Sequence, residues 1–99
     1  MEKIIWTKLA FQDIDDIDDY ISKDSEAYAR KTIESFFKRV QVLVDFTEAG
    51  RIVPEIGKKQ IRELIEGNYR IIYTAKKNMI YILRVHHASR LITKSIKLK

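Results

Sequence analysis

Residues 60–87 read QIRELIEGNYRIIYTAKKNMIYILRVHH, three β-rich runs separated by two short polar links. The runs are rich in Ile, Tyr, Val and Leu, and they cover residues 60–66, 69–75 and 79–87. Gly67-Asn68 is typical of a two-residue hairpin turn, and the tripeptide KKN at 76–78 forms the second link. This stretch therefore predicts three strands joined by two hairpins, which form the centre of an antiparallel sheet.

The residues before this stretch predict one short strand and two amphipathic helices. Residues 3–7 (KIIWT) are apolar and β-branched, and Thr7 is placed to cap a helix that follows. One helical stripe is formed by Ala10, Ile14, Ile17 and Ile21. A second stripe is formed by Ala29, Ile33, Phe36, Val40 and Leu43. The second helix should begin at Asp24 or Ser25 and end near Phe46, so the two helices form an antiparallel hairpin.

The segment between the helices and the sheet is predicted to be an ordered loop. It covers residues 51–59 (RIVPEIGKK), in which Val53-Pro54 forces extended backbone. The element order β-α-α-β-β-β predicts an α+β fold, with a helical hairpin packed on one face of a mostly antiparallel sheet. At 99 residues, the chain is expected to form one domain over residues 1–99.

Charge is distributed unevenly along the chain. Residues 1–50 hold seven Lys/Arg and eleven Asp/Glu, a net charge of −4, whereas residues 51–99 hold twelve and three, a net charge of +9. A basic surface raises the local concentration of anionic partners. The candidates are nucleic acid, a nucleic-acid-bearing machine and an acidic protein segment.

The composition also excludes several kinds of site. Without Cys, the chain forms no disulfide, no thiolate nucleophile and no Cys-based zinc site. The two histidines, His86 and His87, are adjacent and make a poor set of metal ligands, so we expect no metal and no cofactor. No apolar run approaches the ~20 residues that span a bilayer. We therefore expect a cytoplasmic protein without membrane contact.

The order of motifs in the chain resembles the RelE/ParE superfamily of toxins from bacterial type II toxin–antitoxin modules. The motifs are KIIWTKLAFQDIDDIDDYI (3–21), GRIVPE (50–55), IREL (61–64), GNYRIIY (67–73) and ILRVHHASRLI (82–92). The resemblance covers nearly the whole chain. It implies a small basic toxin that is neutralised, in a heteromeric complex, by an antitoxin encoded beside it.

The resemblance implies two different activities for this fold. ParE-like members, known from plasmid-stabilising modules, inhibit DNA gyrase by binding it and are not enzymes. RelE-like members are ribosome-dependent endoribonucleases that cut mRNA without a metal ion. The ending LRVHHASRL is more similar to ParE-type sequences, so a gyrase inhibitor is our first hypothesis. The RelE-like ribonuclease is the second, and a degenerate toxin that mainly serves as the antitoxin's partner is the third.

The ribonuclease hypothesis assigns roles to three residues. Arg70 matches the strand arginine of the ribonucleases, His87 aligns with a terminal catalytic histidine, and Arg90 completes the set. RNA cleavage needs a proton acceptor, a proton donor and cations that stabilise the phosphorane, roles that an imidazole and guanidinium groups can take.

Other basic residues are candidate contacts for an anion or a partner: Arg62, Arg84, Lys58 and Lys59. The alternative is that the strand arginines, Arg70 included, pair with Glu55, Glu63 or Glu66, and that the lysines are solvated. For either histidine, the alternative is a structural or surface role.

The length of the second turn decides which residues share a sheet face. If both turns contain two residues, Arg70 pairs with Val85 and shares a face with His87. Arg62, Arg84 and His86 then share the opposite face. A turn of three residues reverses the assignment for the last strand, because a shift of one residue moves every side chain to the other face.

Overall fold

The computed structural model describes residues 3–92 of the chain. Its elements are β1 (Lys3–Trp6), α1 (Lys8–Ser22), α2 (Glu26–Arg39), a 3₁₀ helix (Val40–Val44), β2 (Arg51–Ile52), β3 (Arg62–Glu66), β4 (Tyr69–Lys76) and β5 (Met79–His87). The α+β prediction is confirmed, with the helical hairpin and the three hairpin strands in the expected order.

The five strands form one mixed sheet in the order β1-β5-β4-β3-β2. The first strand runs parallel to β5, and every other neighbouring pair is antiparallel. Both hairpin turns contain two residues, since Glu66 pairs with Tyr69 and Lys76 pairs with Met79. Lys77 and Asn78 both take positive φ, the conformation that matches the twist of a tight hairpin.

A β-bulge in the β4–β5 pair changes the expected register. Ile72 lies opposite Arg84 but Tyr73 lies opposite Ile82, so Leu83 is an extra residue on β5. Because of this insertion, Arg70 pairs with His86 and not with Val85, although both turns have two residues. The expectation that Arg70 shares a face with His87 was therefore wrong.

The same register corrects the expected position of Arg62. Arg62 lies opposite Tyr73 and therefore shares the face of Tyr73. Tyr73 follows Ile72 on β4, so its side chain points to the opposite face from that of Ile72. Ile72 and Arg70 alternate onto one face, so Arg62 lies on the other. The sequence had suggested that Arg62 and His86 share a face, but in the structure they lie on opposite faces.

Apolar side chains cover both faces of the sheet. The larger cluster lies between the sheet and the helices and includes Ala10, Phe36, Leu43, Ile71, Tyr73 and Val85. The smaller cluster lies on the other face, where Val53 and Ile92 pack with Ile72 and Leu83. The segment before β3, with Val53, and the segment after β5, with Ile92, therefore both pack on the face that carries no helix.

Side-chain caps define the starts of both helices. The Thr7 hydroxyl accepts a hydrogen bond from the Ala10 N–H at 3.3 Å, and Ser25 accepts one from Tyr28 at 3.1 Å. The second helix ends as an α-helix at Arg39 and continues as a 3₁₀ helix, whereas the sequence predicted an α-helix to about Phe46. The 3₁₀ winding places Val40 and Leu43, three residues apart, on one buried side.

The predicted loop 51–59 begins with the short edge strand β2, which the sequence analysis missed. Arg51 pairs with Glu63 and Ile52 pairs with Arg62. The preceding Gly50 permits this close approach, because a Cβ atom there would lie 2.5 Å from the Glu63 carbonyl oxygen. Two paired residues are too few to show the alternating pattern by which a strand is recognised in a sequence.

Candidate functional site

Arg70, which is itself buried, lies at the centre of an ion-pair network on the face without helices. Its guanidinium donates to Glu63 at 2.6 Å, to both oxygens of Glu55 at 2.6 and 2.8 Å, and to the Arg90 carbonyl oxygen at 3.0 Å. Only 4% of Arg70 is exposed. The side chain is therefore enclosed by protein groups and does not project into solvent.

Two carboxylates balance this cation and fix its charge. The hydrogen bonds from Arg70 lower the pKa of Glu55 to about 2. The same pair raises the pKa of Arg70 above its ordinary value. Glu63, of which 1% is exposed, also accepts from Arg51 at 2.7 Å. Arg70 and Glu55 thus stay ionised in neutral solution. The network joins β2, β3, β4 and the loop after β2.

The network also holds the segment 88–92 against the sheet; we call this segment the strap. Glu55 accepts a hydrogen bond from the Ile92 N–H at 3.0 Å, while Arg70 donates to the Arg90 carbonyl. At the start of the strap, Ala88 N–H donates to the Asn68 carbonyl at 2.6 Å. These bonds bring Ile92 into the smaller apolar cluster, where 5% of it is exposed.

His86 is buried beside the strap. It lies opposite Arg70, and its Nδ1 is 3.3 Å from a guanidinium nitrogen of Arg90. Because a guanidinium only donates, Nδ1 acts as the acceptor and the neutral ring carries its proton on Nε2. Burial lowers the pKa of His86 to about 4. Within residues 3–92, its Nε2 has no hydrogen-bond partner.

His87, the candidate catalytic histidine, lies on the opposite face and is exposed. Its ring contacts Tyr69 edge to face, with centroids 5.6 Å apart, and its Nδ1 is 2.7 Å from the Ser89 hydroxyl. Arg70 lies on the other side of the sheet. Of the three candidate catalytic residues, Arg70 bonds to the main chain of Arg90. Arg70 and His87 lie on opposite faces of the sheet and do not line a common site.

A cleft of about 460 Å³ lies beside the end of β5 that β1 does not pair with. Its lining residues are Asp13, Asp16, Ile17, Tyr20, Tyr69, Val85, His86, His87 and Arg90. The cleft contains an exposed imidazole and a guanidinium, but Asp13 and Asp16 on α1 form the facing wall. It can hold a mixed polar surface, whereas an anion in it would meet carboxylates.

Asp13 has a structural role at β5 that was not predicted from the sequence. Its carboxylate accepts from Arg84 at 2.7 and 2.9 Å and from the Val85 N–H at 2.9 Å. The bond to Val85 satisfies a backbone donor of β5 where β1 no longer pairs with it. A signal was present, since Asp13 follows Ala10 by three residues and so lies beside the apolar stripe of α1.

The remaining basic candidates have two different environments. Arg62 donates to the Gly50 carbonyl at 3.0 Å and lies 3.5 Å from Glu48. Arg84 forms the ion pair with Asp13, which raises the pKa of Arg84. Lys58 and Lys59 are exposed in the turn before β3. The lysines are therefore accessible to a partner, whereas the two arginines already contact acidic side chains.

Comparison with known proteins places this architecture in a family. A family model described as the ParE toxin of the type II toxin–antitoxin system, parDE, matches residues 4–92. The chain belongs to the ParE toxin family. Members of this family act in type II toxin–antitoxin systems, so the toxin has an antitoxin partner.

Individual relatives of this ParE-family toxin agree with the assignment. Toxin RelE2 of Caulobacter vibrioides is 29% identical over 92 residues, which cover 92% of this chain and all of that toxin. A solved chain of the chromosomal ParDE toxin–antitoxin system from P. aeruginosa superposes with a TM-score of 0.73 at 24% identity. That match covers 90% of this chain and 98% of the other, and it shows that the two share a fold.

The structure of the ParE-family toxin also bears on metal binding and on membrane insertion. In residues 3–92, no group of three or more His, Cys, Asp or Glu side chains is arranged to hold a metal ion. None of the helices in the part of the chain that the structure describes is long and apolar enough to cross a membrane.

Proposed function

We propose that this ParE-family toxin stops growth by binding DNA gyrase in the cytoplasm, and that it carries out no chemical step itself. Its antitoxin neutralises it by forming a complex. The observation that carries the proposal is the enclosure of Arg70 by Glu55, Glu63 and the strap. A cation whose donors are already used is a poor stabiliser of developing phosphate charge.

The position of the other candidate residues supports the same proposal. Attack by a ribose hydroxyl requires an acid or base and a cation at the same phosphate. His87 lies on the face opposite Arg70, and the cleft that His87 shares with Arg90 has Asp13 and Asp16 along its far wall. Asp16 repels an RNA backbone, and Asp13 is already paired with Arg84, so the cleft is a poor site for a phosphate chain.

The name of the Caulobacter relative, Toxin RelE2, favours the alternative of a ribosome-dependent mRNA endonuclease. Under this alternative, His87 and Arg90 would act in the cleft, while Arg70 would have to leave its two carboxylates. The two activities give different cellular effects. Gyrase inhibition produces a DNA damage response and filamentation, whereas the endonuclease blocks translation and leaves mRNA cut at codons.

A double substitution, His87→Ala with Arg90→Ala, tests the proposal in cells that express the toxin without its antitoxin. Both positions are exposed, so the fold should be retained, which circular dichroism can check. We expect growth inhibition and filamentation to match the unmodified toxin. If the unmodified toxin leaves mRNA cut at codons, and the folded double variant leaves it intact and is no longer toxic, the proposal is overturned in favour of the endonuclease.

Arg70 is unsuitable for this test, because its removal takes away one of the two cations that pair with the buried carboxylate of Glu63. Lost toxicity of an Arg70 variant would report unfolding as readily as lost catalysis. The test therefore changes only the two exposed residues. A tagged antitoxin is used to confirm that the double variant still binds it.

A further inference from the structure

The outer edge of β1 pairs with no other strand in residues 3–92. This strand is the last of the sheet, with β5 on one side only. The Lys3 N–H donates to the Asn78 carbonyl at 3.2 Å, so the odd-numbered residues of β1 bond towards β5. Because successive residues of a strand direct their main-chain groups to opposite sides, Ile4 and Trp6 direct theirs outwards. Their N–H and C=O groups form an open template for another strand.

Apolar side chains lie on both faces of this edge. Trp6 packs against the larger apolar cluster, on the helical face of the sheet. There Phe37 contacts it with ring centroids 4.6 Å apart, and the ring of Phe11 lies 6.2 Å away. Phe11 is 49% exposed and Phe37 is 38% exposed. Ile5 alternates onto the other face and is 36% exposed, so a strand added here would cover apolar surface on both faces.

A second copy of β1 complements this edge when it runs antiparallel, with a twofold axis at Ile5. In this register Ile4 of each copy lies opposite Trp6 of the other, and each such pair exchanges both of its N–H···O bonds. The side chains pair Ile4 with Trp6 and Ile5 with its own copy, and such aromatic and β-branched pairs stabilise antiparallel strands. Lys3 lies opposite Thr7, so no like charges meet directly. The edge therefore matches itself in hydrogen bonding, side-chain pairing and charge.

We propose that two copies of the toxin associate through β1 and join their five-stranded sheets into one. Pairing uses the open edge of both copies, so the assembly closes at a dimer. The strand at the opposite edge, β2, has only two residues and does not extend the sheet further. Because a strand of four residues gives a small contact, we expect a dissociation constant on the order of 10 μM. Dimerisation requires neither the antitoxin nor the target, so it is independent of the proposed function.

Cysteine cross-linking of the 99-residue toxin tests the register, because the chain contains no Cys of its own. At the axis, Ile5 faces its copy in a pair without hydrogen bonds, where the Cα atoms are about 4.5 Å apart, within the range of a disulfide. The two copies of Lys3 lie about 13 Å apart along the strands. Under mild oxidation we expect Ile5→Cys to form a covalent dimer and Lys3→Cys to remain a monomer. Electrophoresis without a reductant separates the two forms.

Analytical ultracentrifugation over about 1–100 μM toxin measures the association itself. Ile5→Lys should weaken the dimer at least about tenfold, because like charges then lie directly opposite at the axis. The matched control is Ile65→Lys, since Ile65 is 42% exposed but lies on β3, towards the other edge of the sheet. This control should change the constant by less than about twofold. A toxin that stays monomeric at the highest concentration, or equal cross-linking of the two Cys variants, would overturn the proposal.

Discussion

Arg70 illustrates how one residue can carry both a family motif and a structural role. It belongs to the GNYRIIY motif, yet its guanidinium is used by Glu55, Glu63 and a strap carbonyl. A buried ion pair contributes little beyond an apolar equivalent, but breaking it leaves a charge without a counter-ion. The residue is thus required by its neighbours whether or not it takes part in toxicity.

We expect Arg70→Ala to lower the free energy of unfolding by about 3 kcal/mol, because buried Glu63 then keeps only Arg51 as a partner and Glu55 loses its ion pair. Urea titration followed by circular dichroism measures this change. The matched control is Arg39→Ala, whose partner Glu66 lies 3.9 Å away near the surface, and which should cost about 1 kcal/mol or less. Similar losses in the two variants would contradict the assigned role of the network.

His86 predicts how stability depends on pH. Its pKa is about 4 in the folded protein, against an ordinary value of 6.5. The unfolded chain therefore binds the proton more readily, and stability falls as the pH decreases from 6.5 towards 4. Asp13 facing the ring opposes this effect, while Arg84, Arg90 and Arg70 strengthen it. The expected loss between pH 8 and pH 5 is about 2 kcal/mol.

Unfolding by urea at several pH values, with His86→Gln as the comparison, measures this dependence. The variant should lose the decrease between pH 6.5 and 4. Both proteins should still become less stable as the pH falls from 4.5 towards 2, since Glu55 has a pKa of about 2 when folded. An unchanged decrease above pH 4.5 in the variant would show that His86 is not its source.

At the scale of residues, the sequence predicted the ion-pair partners of Arg70 but not those of Arg62 and Arg84, which pair with Glu48 and Asp13. Pairing of Arg70 with Glu55 and Glu63 was one of the alternatives and is present in the structure. The shared face of Arg70 and His87 was wrong, because one extra residue at Leu83 shifts the register. Nothing local in the run MIYILRVHH distinguishes a bulged strand from a regular one.

At the scale of elements, the sequence predicted the long helices and strands, in which the apolar spacing recurs several times. It did not predict the short elements. The three hairpin strands and both helix caps agree with the structure to within two residues. The two-residue strand β2 and the 3₁₀ helix were missed. Both depend on tertiary contacts, since β2 exists through pairing with β3 and the 3₁₀ winding places Val40 and Leu43 in the core.

The strap is an element whose order depends on distant side chains. Glu55→Gln weakens the ion pair with Arg70 and the bond to the Ile92 N–H, so the strap should open more often. We expect amide hydrogen exchange at Ile92 to accelerate by about tenfold, measured by mass spectrometry or NMR. The exposed pair of Arg39 and Glu66 offers a control, and Glu66→Gln should leave exchange at Ile92 unchanged.

At the scale of the whole molecule, basic and acidic side chains gather on different surfaces. Lys58, Lys59, Lys76 and Lys77 are exposed, and the pairing of Arg62 with Tyr73 places them at one end of the sheet. Four carboxylates, from Asp15, Asp18, Glu26 and Glu34, line the groove between α1 and α2. We propose that an acidic antitoxin segment approaches the lysine end, where long-range charge steers encounter and buried apolar contacts supply most of the affinity.

Reversing the charge of these four lysines should therefore slow association with the antitoxin and reduce its dependence on salt. Dissociation should change less, because rim charges act mainly on the encounter rate. Surface plasmon resonance at two ionic strengths separates the two rates. A variant that associates at the normal rate but dissociates much faster would place these lysines in the bound interface.

DNA supercoiling by purified gyrase is the measurement that tests the central claim most directly. Added toxin should inhibit supercoiling in proportion to its concentration, and addition of the antitoxin should restore it. The double variant His87→Ala, Arg90→Ala should inhibit as strongly as the unmodified toxin, because binding needs no acid–base group. Full gyrase activity in excess toxin, under conditions where the same toxin cuts ribosome-bound mRNA, would contradict the account.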